Sequence, residues 1–226
     1  MKKQSGFTLI ELAIVLVIIG LLLGGVLKGQ ELINSARVKN LASDFRNTQV
    51  YVYGYQDRFR VIPGDDRGAG PRFASPAQVA SNGTQNGVIE GSWFEPANTA
   101  ESCVFWQHVR LAGFAAGKSA IADINCSNGN EYMPRNAEGG VVGIQGVTDF
   151  NSTLALTGAN AMIGSFVVCS ALIRGSLAKQ LDTLLDDGDT AAGSVRVYRS
   201  GSSTWATTLS ITGPEDSAQY NVCMAF

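Results

Sequence analysis

Apolar residues run almost without a break from Phe7 to Leu27, with one acid, Glu11, near the start of the run. As a helix this stretch is ~30 Å long, enough to cross a bilayer core. Gly20 and Gly24 stand four apart, a small-residue face that lets helices approach closely, although glycine is common in membrane helices in any case. Beyond Lys28 the pattern changes. Val38, Leu41, Phe45, Thr48, Val52, Tyr55 and Phe59 step by three and four, which is the stripe of an amphipathic helix. Lys39, Asp44, Arg46, Asn47 and Asp57 fall mostly off that stripe. The two patterns predict one continuous helix whose outer half lies across a globular head. Gly54 weakens it by roughly 1 kcal/mol relative to alanine, and Pro63-Gly64 ends it.

From Gly64 to Asn98 no period survives, because Pro71, Pro76, Pro96 and several glycines interrupt it. This reads as a long surface excursion, either a functional loop or a decoration of variable length. Asn98 followed by Glu101 looks like a capping box. It introduces a short helix with Phe105, Trp106, Val109 and Ala112 on one face, ended by Gly113 or Gly117. Strand-like runs follow at Val141–Val147, Thr153–Leu156 and Ile163–Cys169. A second helix near Ser176–Asp186 carries Leu177, Leu181, Leu184 and Leu185 and closes with Gly188. The remaining strand-like runs are Ser194–Arg199, Trp205–Thr212 and Gln219–Ala225. A long helix followed by clustered strands predicts an α+β fold with an antiparallel sheet in the head.

What precedes the apolar run changes this picture. The chain opens Met1-Lys2-Lys3-Gln4-Ser5-Gly6. An ordinary secretory leader is cut after its apolar stretch and loses it. Here the small-residue junction lies before the stretch, so a cut there keeps the helix on the mature chain. The string Gly6-Phe7-Thr8-Leu9-Ile10-Glu11-Leu12 resembles the processing site of type IV prepilins and type II secretion pseudopilins. The resemblance covers residues 1 to about 27 and continues weakly as a long helix to about Phe59. It implies cleavage between Gly6 and Phe7, N-methylation of Phe7, and an assembly role for Glu11.

It further implies a structural filament subunit and no enzyme. The implied organisation is a leader at 1–6, a membrane or filament-core helix at 7–27, its amphipathic extension at 28–62, and an exported head at 63–226. The implied partners are copies of the chain or other pilins, a prepilin peptidase, and an inner-membrane assembly platform. One departure stands out. Many members of the family carry a proline where the apolar run ends, and this chain has Lys28 there, with Gly24, Gly25 and Gly29 nearby. A plain signal-anchor helix, or a secretory leader cut further downstream, would leave Glu11 unexplained, since a carboxylate in a membrane helix costs a few kcal/mol. A non-polymerising, membrane-anchored binding module or enzyme is the alternative function.

Composition narrows the choice. The chain has 226 residues and a net charge of −2; taking Lys2 and Lys3 from its 17 basic residues leaves 15 against 19 acids, or −4. With no dense basic patch, the footprint of a nucleic-acid binder is missing. Lysines before the apolar run and none just inside it predict a cytoplasmic N-terminus and an exported C-terminal bulk; the resemblance implies that the membrane is the bacterial inner membrane, with the head in the periplasm and the filament then in the periplasm or at the cell surface. The four cysteines, Cys103, Cys126, Cys169 and Cys223, lack zinc spacing and suit two disulfides in an exported domain. Of three possible connectivities, Cys103–Cys126 with Cys169–Cys223 is favoured, the second pair joining strand-like runs.

His108, the only histidine, reads as a surface or half-buried helix position with no nucleophile elbow to serve. No motif requires a cofactor. Asp186, Asp187 and Asp189 around Gly188 are the one candidate set for calcium. Against it, the EF-hand spacing is absent, and acids after a leucine-rich helix also make a plain solvated stop. Asp65-Asp66 is a weaker acid pair, and Asn151-Ser152-Thr153 is an incidental sequon match.

Overall fold

The computed structural model describes residues 9–73, 85–127, 130–158, 161–199 and 218–226. Gly6, Phe7 and the strand-like run Trp205–Thr212 lie outside them. Helix α1 runs unbroken over Leu9–Phe59. It ends three residues short of 62, because Arg60 takes a left-handed backbone (φ 61°). Its first half stands clear of the head. Burial begins at Val38 and follows the stripe through Leu41, Ala42, Phe45, Thr48, Val52 and Tyr55, and Phe59 is half-buried. Gly54 has a local reason: a Cβ there would sit 2.8 Å from the Phe114 ring edge.

The head contains α2 (Ala69–Arg72), α3 (Glu101–Leu111), β1 (Val142–Gly146), α4 (Val147–Thr153), β2 (Phe166–Arg174), α5 (Gly175–Leu185), β3 (Val195–Arg199) and β4 (Gln219–Ala225). The strands form one antiparallel sheet in the order β1-β2-β4-β3. A long N-terminal helix followed by a head with this sheet is an α+β, pilin-like layout.

Strand alternation sends side chains to two different cores. Val168, Val222 and Met224 join α1, α3 and α5 on one face. Val167, Cys169, Cys223 and Ala225 join Phe150, Leu154 and Trp93 on the other. The buried runs of β1 to β4 follow from this double cover. A bulge between Ser170 and Ile173, with Leu172 at φ 58°, adds one residue to β2. The added residue returns Ile173 to the helix-side core and leaves Leu172 against the other.

Three sequence expectations change. Thr153–Leu156 is no strand: β1 runs straight into α4, where Val147 and Phe150 are buried at helical spacing and Leu154 follows the last turn. The central strand is Phe166–Arg174, displaced toward the C-terminus from Ile163–Cys169. No capping box opens α3. Ala100 takes the N-cap position without a side-chain bond. Asn98 Oδ1 instead accepts from the Cys126 N–H and Glu101 Oε2 from the Glu90 N–H.

The described parts of the Gly64–Asn98 segment are built into the head. Ile89 and Trp93 are buried. The Trp93 N–H donates to Gln145 Oε1 at 2.7 Å, and the backbone there lies so close to β1 that a Cβ on Gly143 would fall 2.0 Å from the Trp93 carbonyl oxygen. Cys103 is bonded to Cys126, and Cys169 to Cys223 directly across the β2–β4 pairing.

Candidate functional site

Two regions carry chemistry that packing alone does not require. The first is the inner half of α1. Apolar side chains stand open to solvent along it, from Leu9 at 87% exposure through Leu16, Leu21 and Leu27 to Ile33. An exposed apolar surface of this extent marks a lipid or protein contact. Among the described residues α1 is the one helix long and apolar enough to cross a membrane. Glu11 lies in its first turn, where the positive end of the helix dipole favours a carboxylate. Arg37 Nη1 bonds Glu138 at 3.2 Å, and Arg174 Nε bonds the same carboxylate at 2.8 Å. The head thereby grips the helix where it emerges.

The second region is acidic and lies at the end of α5. Asp182 sits on the buried face of α5 beside Leu181, with its side chain fully enclosed. Neither of its carboxylate oxygens has a hydrogen-bond partner. Burial pushes its pKa up to about 7, and the charges of Asp186, Asp187 and Asp189 push the same way. Asp182, Asp186 and Asp187 bring one oxygen each within 4.8 Å of one another. Asp189 belongs to a different arrangement: its N–H donates to Asp187 Oδ1, and its own Oδ1 accepts from the Ala191 N–H. Sequence reading missed Asp182, although its four-residue spacing from Asp186 puts the two on one helix face.

Elsewhere buried polar groups serve the fold. Asp65 accepts from the Gln85 and Gly87 N–H groups, each at 2.8 Å. Asp66 accepts from Tyr55 Oη, the Gly68 N–H and Arg72. His108, expected nearer the surface, is fully buried. Its Nδ1 accepts from the Gly64 N–H at 2.9 Å, and its ring stacks on Tyr55. It therefore holds the turn after α1. The pocket lined by Trp93, Phe94, Gln145, Phe150 and Leu154 holds about 140 Å³, less than the roughly 300 Å³ at which drug-sized ligand sites begin.

Glu101 carries a pH-dependent contribution. Burial raises it to about 7 against the opposing Glu90 N–H bond, with the Asp65 and Glu90 charges adding to the rise. Its unfolded value is 4.5, so folding retains a proton that the unfolded chain releases. The contribution is favourable below pH 4.5 and is lost as pH rises through about 7. Glu101→Gln is expected to remove up to about 3 kcal/mol of this decline. Asp44, raised to about 6 by burial, and Asp182 act in the same direction, so the readout is the wild-type stability slope minus the variant slope between pH 4.5 and 7.5. Equal slopes would refute the assignment.

Residues 1–27 match the family described as the prokaryotic N-terminal methylation motif. The match supports a type IV prepilin-like class III signal peptide, and with the apolar α1 it fits membrane anchoring. No curated protein and no solved structure matches the chain.

Proposed function

We propose that the chain is a structural subunit of a helical filament of the type IV pilus or type II secretion pseudopilus kind. The observation that carries this reading is the division of α1. Its outer half buries one stripe, Val38 to Tyr55, against the head, and its inner half presents an apolar surface from Leu9 to Leu27 with Glu11 at the start. In the proposed sequence the precursor waits in the bacterial inner membrane with its head outside. A prepilin peptidase cuts between Gly6 and Phe7, and the new Phe7 amine is methylated.

That amine is positive and Glu11 negative, about one helical turn apart. When apolar helices pack into a filament both charges leave water, and an unpaired buried carboxylate is costly. Staggered packing relieves both by setting Glu11 of one subunit against the Phe7 amine of the next. The contact is head-to-tail and does not close on itself, so it propagates into a fibre. Apolar packing supplies the attraction and the charge pair sets the register.

The test is Glu11→Ala in cells making the full chain. Membrane insertion is expected to be unchanged. Pelletable filaments are expected to fall at least about a hundredfold, because removing one partner of a buried ion pair costs roughly 3–5 kcal/mol. Filament yield equal to wild type would overturn the register role. A wild-type chain that never pellets as filaments would favour the anchored binding module instead. Intact mass of the mature protein reports cleavage after Gly6 and methylation of Phe7 directly.

A further inference from the structure

We propose that the cleft between the covered half of α1 and the head binds a small organic ammonium ion that also carries an oxygen acceptor, of the amino-alcohol kind. The cleft lies where α1 meets α3 and the start of β1, and its volume is about 70 Å³. A water takes up roughly 10–15 Å³ on this measure, so the space suits a guest of about four to six non-hydrogen atoms.

Asp44 supplies the charge. Together with Thr48 and Tyr51 it lines one wall of the cleft, the three standing at i, i+4 and i+7 on one face of α1. Among the described residues its carboxylate forms no ion pair. Burial pushes it up to about 6, with no hydrogen bond or cation offsetting the rise. The Thr48 hydroxyl donates to the Asp44 backbone carbonyl at 2.8 Å and not to the carboxylate. Arg135 also lines the cleft, but its Nη1 donates to the Gly139 carbonyl at 2.8 Å. An acid half-sunk in protein without a partner is relieved by a guest of opposite charge.

Two aromatic side chains narrow the class of guest. Tyr51 feels the Asp44 charge, which raises its hydroxyl in addition to burial. Trp106, only 2% exposed, lines the same cleft, and its indole N–H has no acceptor in the protein. Aromatic rings beside a carboxylate favour an organic cation. A single carboxylate is too few oxygens for a hard metal ion, and its charge disfavours an anion. The enclosed indole donor calls for an acceptor as well, since a buried donor left unpaired is costly. One molecule bearing both an ammonium and a hydroxyl meets the two needs at once, and it would bridge α1 and α3.

The probe is ethanolamine, added to the full chain in detergent micelles. Ethylamine and ethanol serve as controls that carry only the charge or only the oxygen. Binding is followed by titration calorimetry and by the Trp106 indole N–H resonance, identified by its loss in Trp106→Phe. At about pH 7.5 ethanolamine is expected to move that resonance saturably with a Kd of roughly 1–10 mM, as befits so small a guest. Ethylamine should bind about tenfold more weakly to wild type and equally with ethanolamine to Trp106→Phe. Asp44→Asn should abolish binding of both amines. Protonation of Asp44 below about 6 should weaken ethanolamine about tenfold at pH 5. Tyr51 and Arg135 are the other ionisable groups lining the cleft, and neither a phenol nor a guanidinium titrates in that range. The inference is overturned by a resonance unmoved at about 100 mM ethanolamine, tenfold above the expected range. Equal responses to ethanol and ethanolamine overturn it too, as does binding retained by Asp44→Asn. The pH series on wild type tests the site even if Asp44→Asn alters folding: equal affinity at both pH values refutes it. None of these results depends on whether the chain forms filaments.

Discussion

Replacing Cys169 and Cys223 together by alanine is expected to destabilise the head by about 4 kcal/mol, and its midpoint should fall by roughly 8–16 °C. The bond closes a sequence separation of 54 residues. Reduction therefore frees a long loop in the unfolded chain, and the entropy cost of folding rises accordingly. Both sulfurs also fill space on the sheet face covered by Trp93, Phe150 and Leu154, so alanine adds a cavity term. The Cys103–Cys126 bond spans 23 residues and its removal should cost less, about 3 kcal/mol on the same relation. Urea unfolding of the three proteins under non-reducing conditions checks the order. A Cys169–Cys223 variant within 1 kcal/mol of wild type would show that the cross-strand bond merely decorates a sheet already held by its hydrogen bonds.

Phe45→Ala is expected to cost about 3–5 kcal/mol, the range for deleting an enclosed aromatic ring. Phe45 is completely buried midway along the part of α1 that the head covers. Its ring sits in the helix-side core with Trp106, Val109, Leu177 and Leu181, so the loss falls on the joint between helix and head. Limited proteolysis reports this directly: residues 38–59 should become cleavable in the variant while remaining protected in wild type. Val50→Ala is the control, since Val50 is 60% exposed on the opposite side and surface changes of this kind stay within about 0.5 kcal/mol. Equal protection of Phe45→Ala and wild type would refute the assigned joint.

The parts of this architecture that were legible in the sequence are those set by local period. The stripe from Val38 to Tyr55 repeats every three or four residues, so the covered face of α1 could be named position by position. Gln219–Ala225 closes on an almost continuous apolar run, Val222 to Ala225, because its two sides enter two different cores. The misreadings have long-range causes. Thr153 suggested a strand by propensity, yet α4 is fixed by Val147 and Phe150 meeting the sheet. Propensity gives way where tertiary packing decides.

Asn98 and Glu101 have capping-box spacing, but their side chains reach Cys126 and Glu90 across the fold. His108 was placed too near the surface because nothing within its own helix reveals that Gly64 supplies it with a donor. Asp182 was passed over for a similar reason: an acid among leucines reads as the wet side of a helix until the sheet and the β3 approach close over it. The segment after Gly64 looked unstructured because its bonds run to Asp65, Gln145 and Glu101, none of them visible as a period.

The carboxylate of Glu138, shared between Arg37 and Arg174, has a mechanical consequence. Arg37 belongs to α1 and Arg174 ends β2, the strand paired to both β1 and β4. Tension applied along the axis of α1 is therefore handed to the middle of the sheet and not to its rim. There it is shared by two rows of backbone bonds and a covalent crosslink, so the load is divided before any single strand has to carry it.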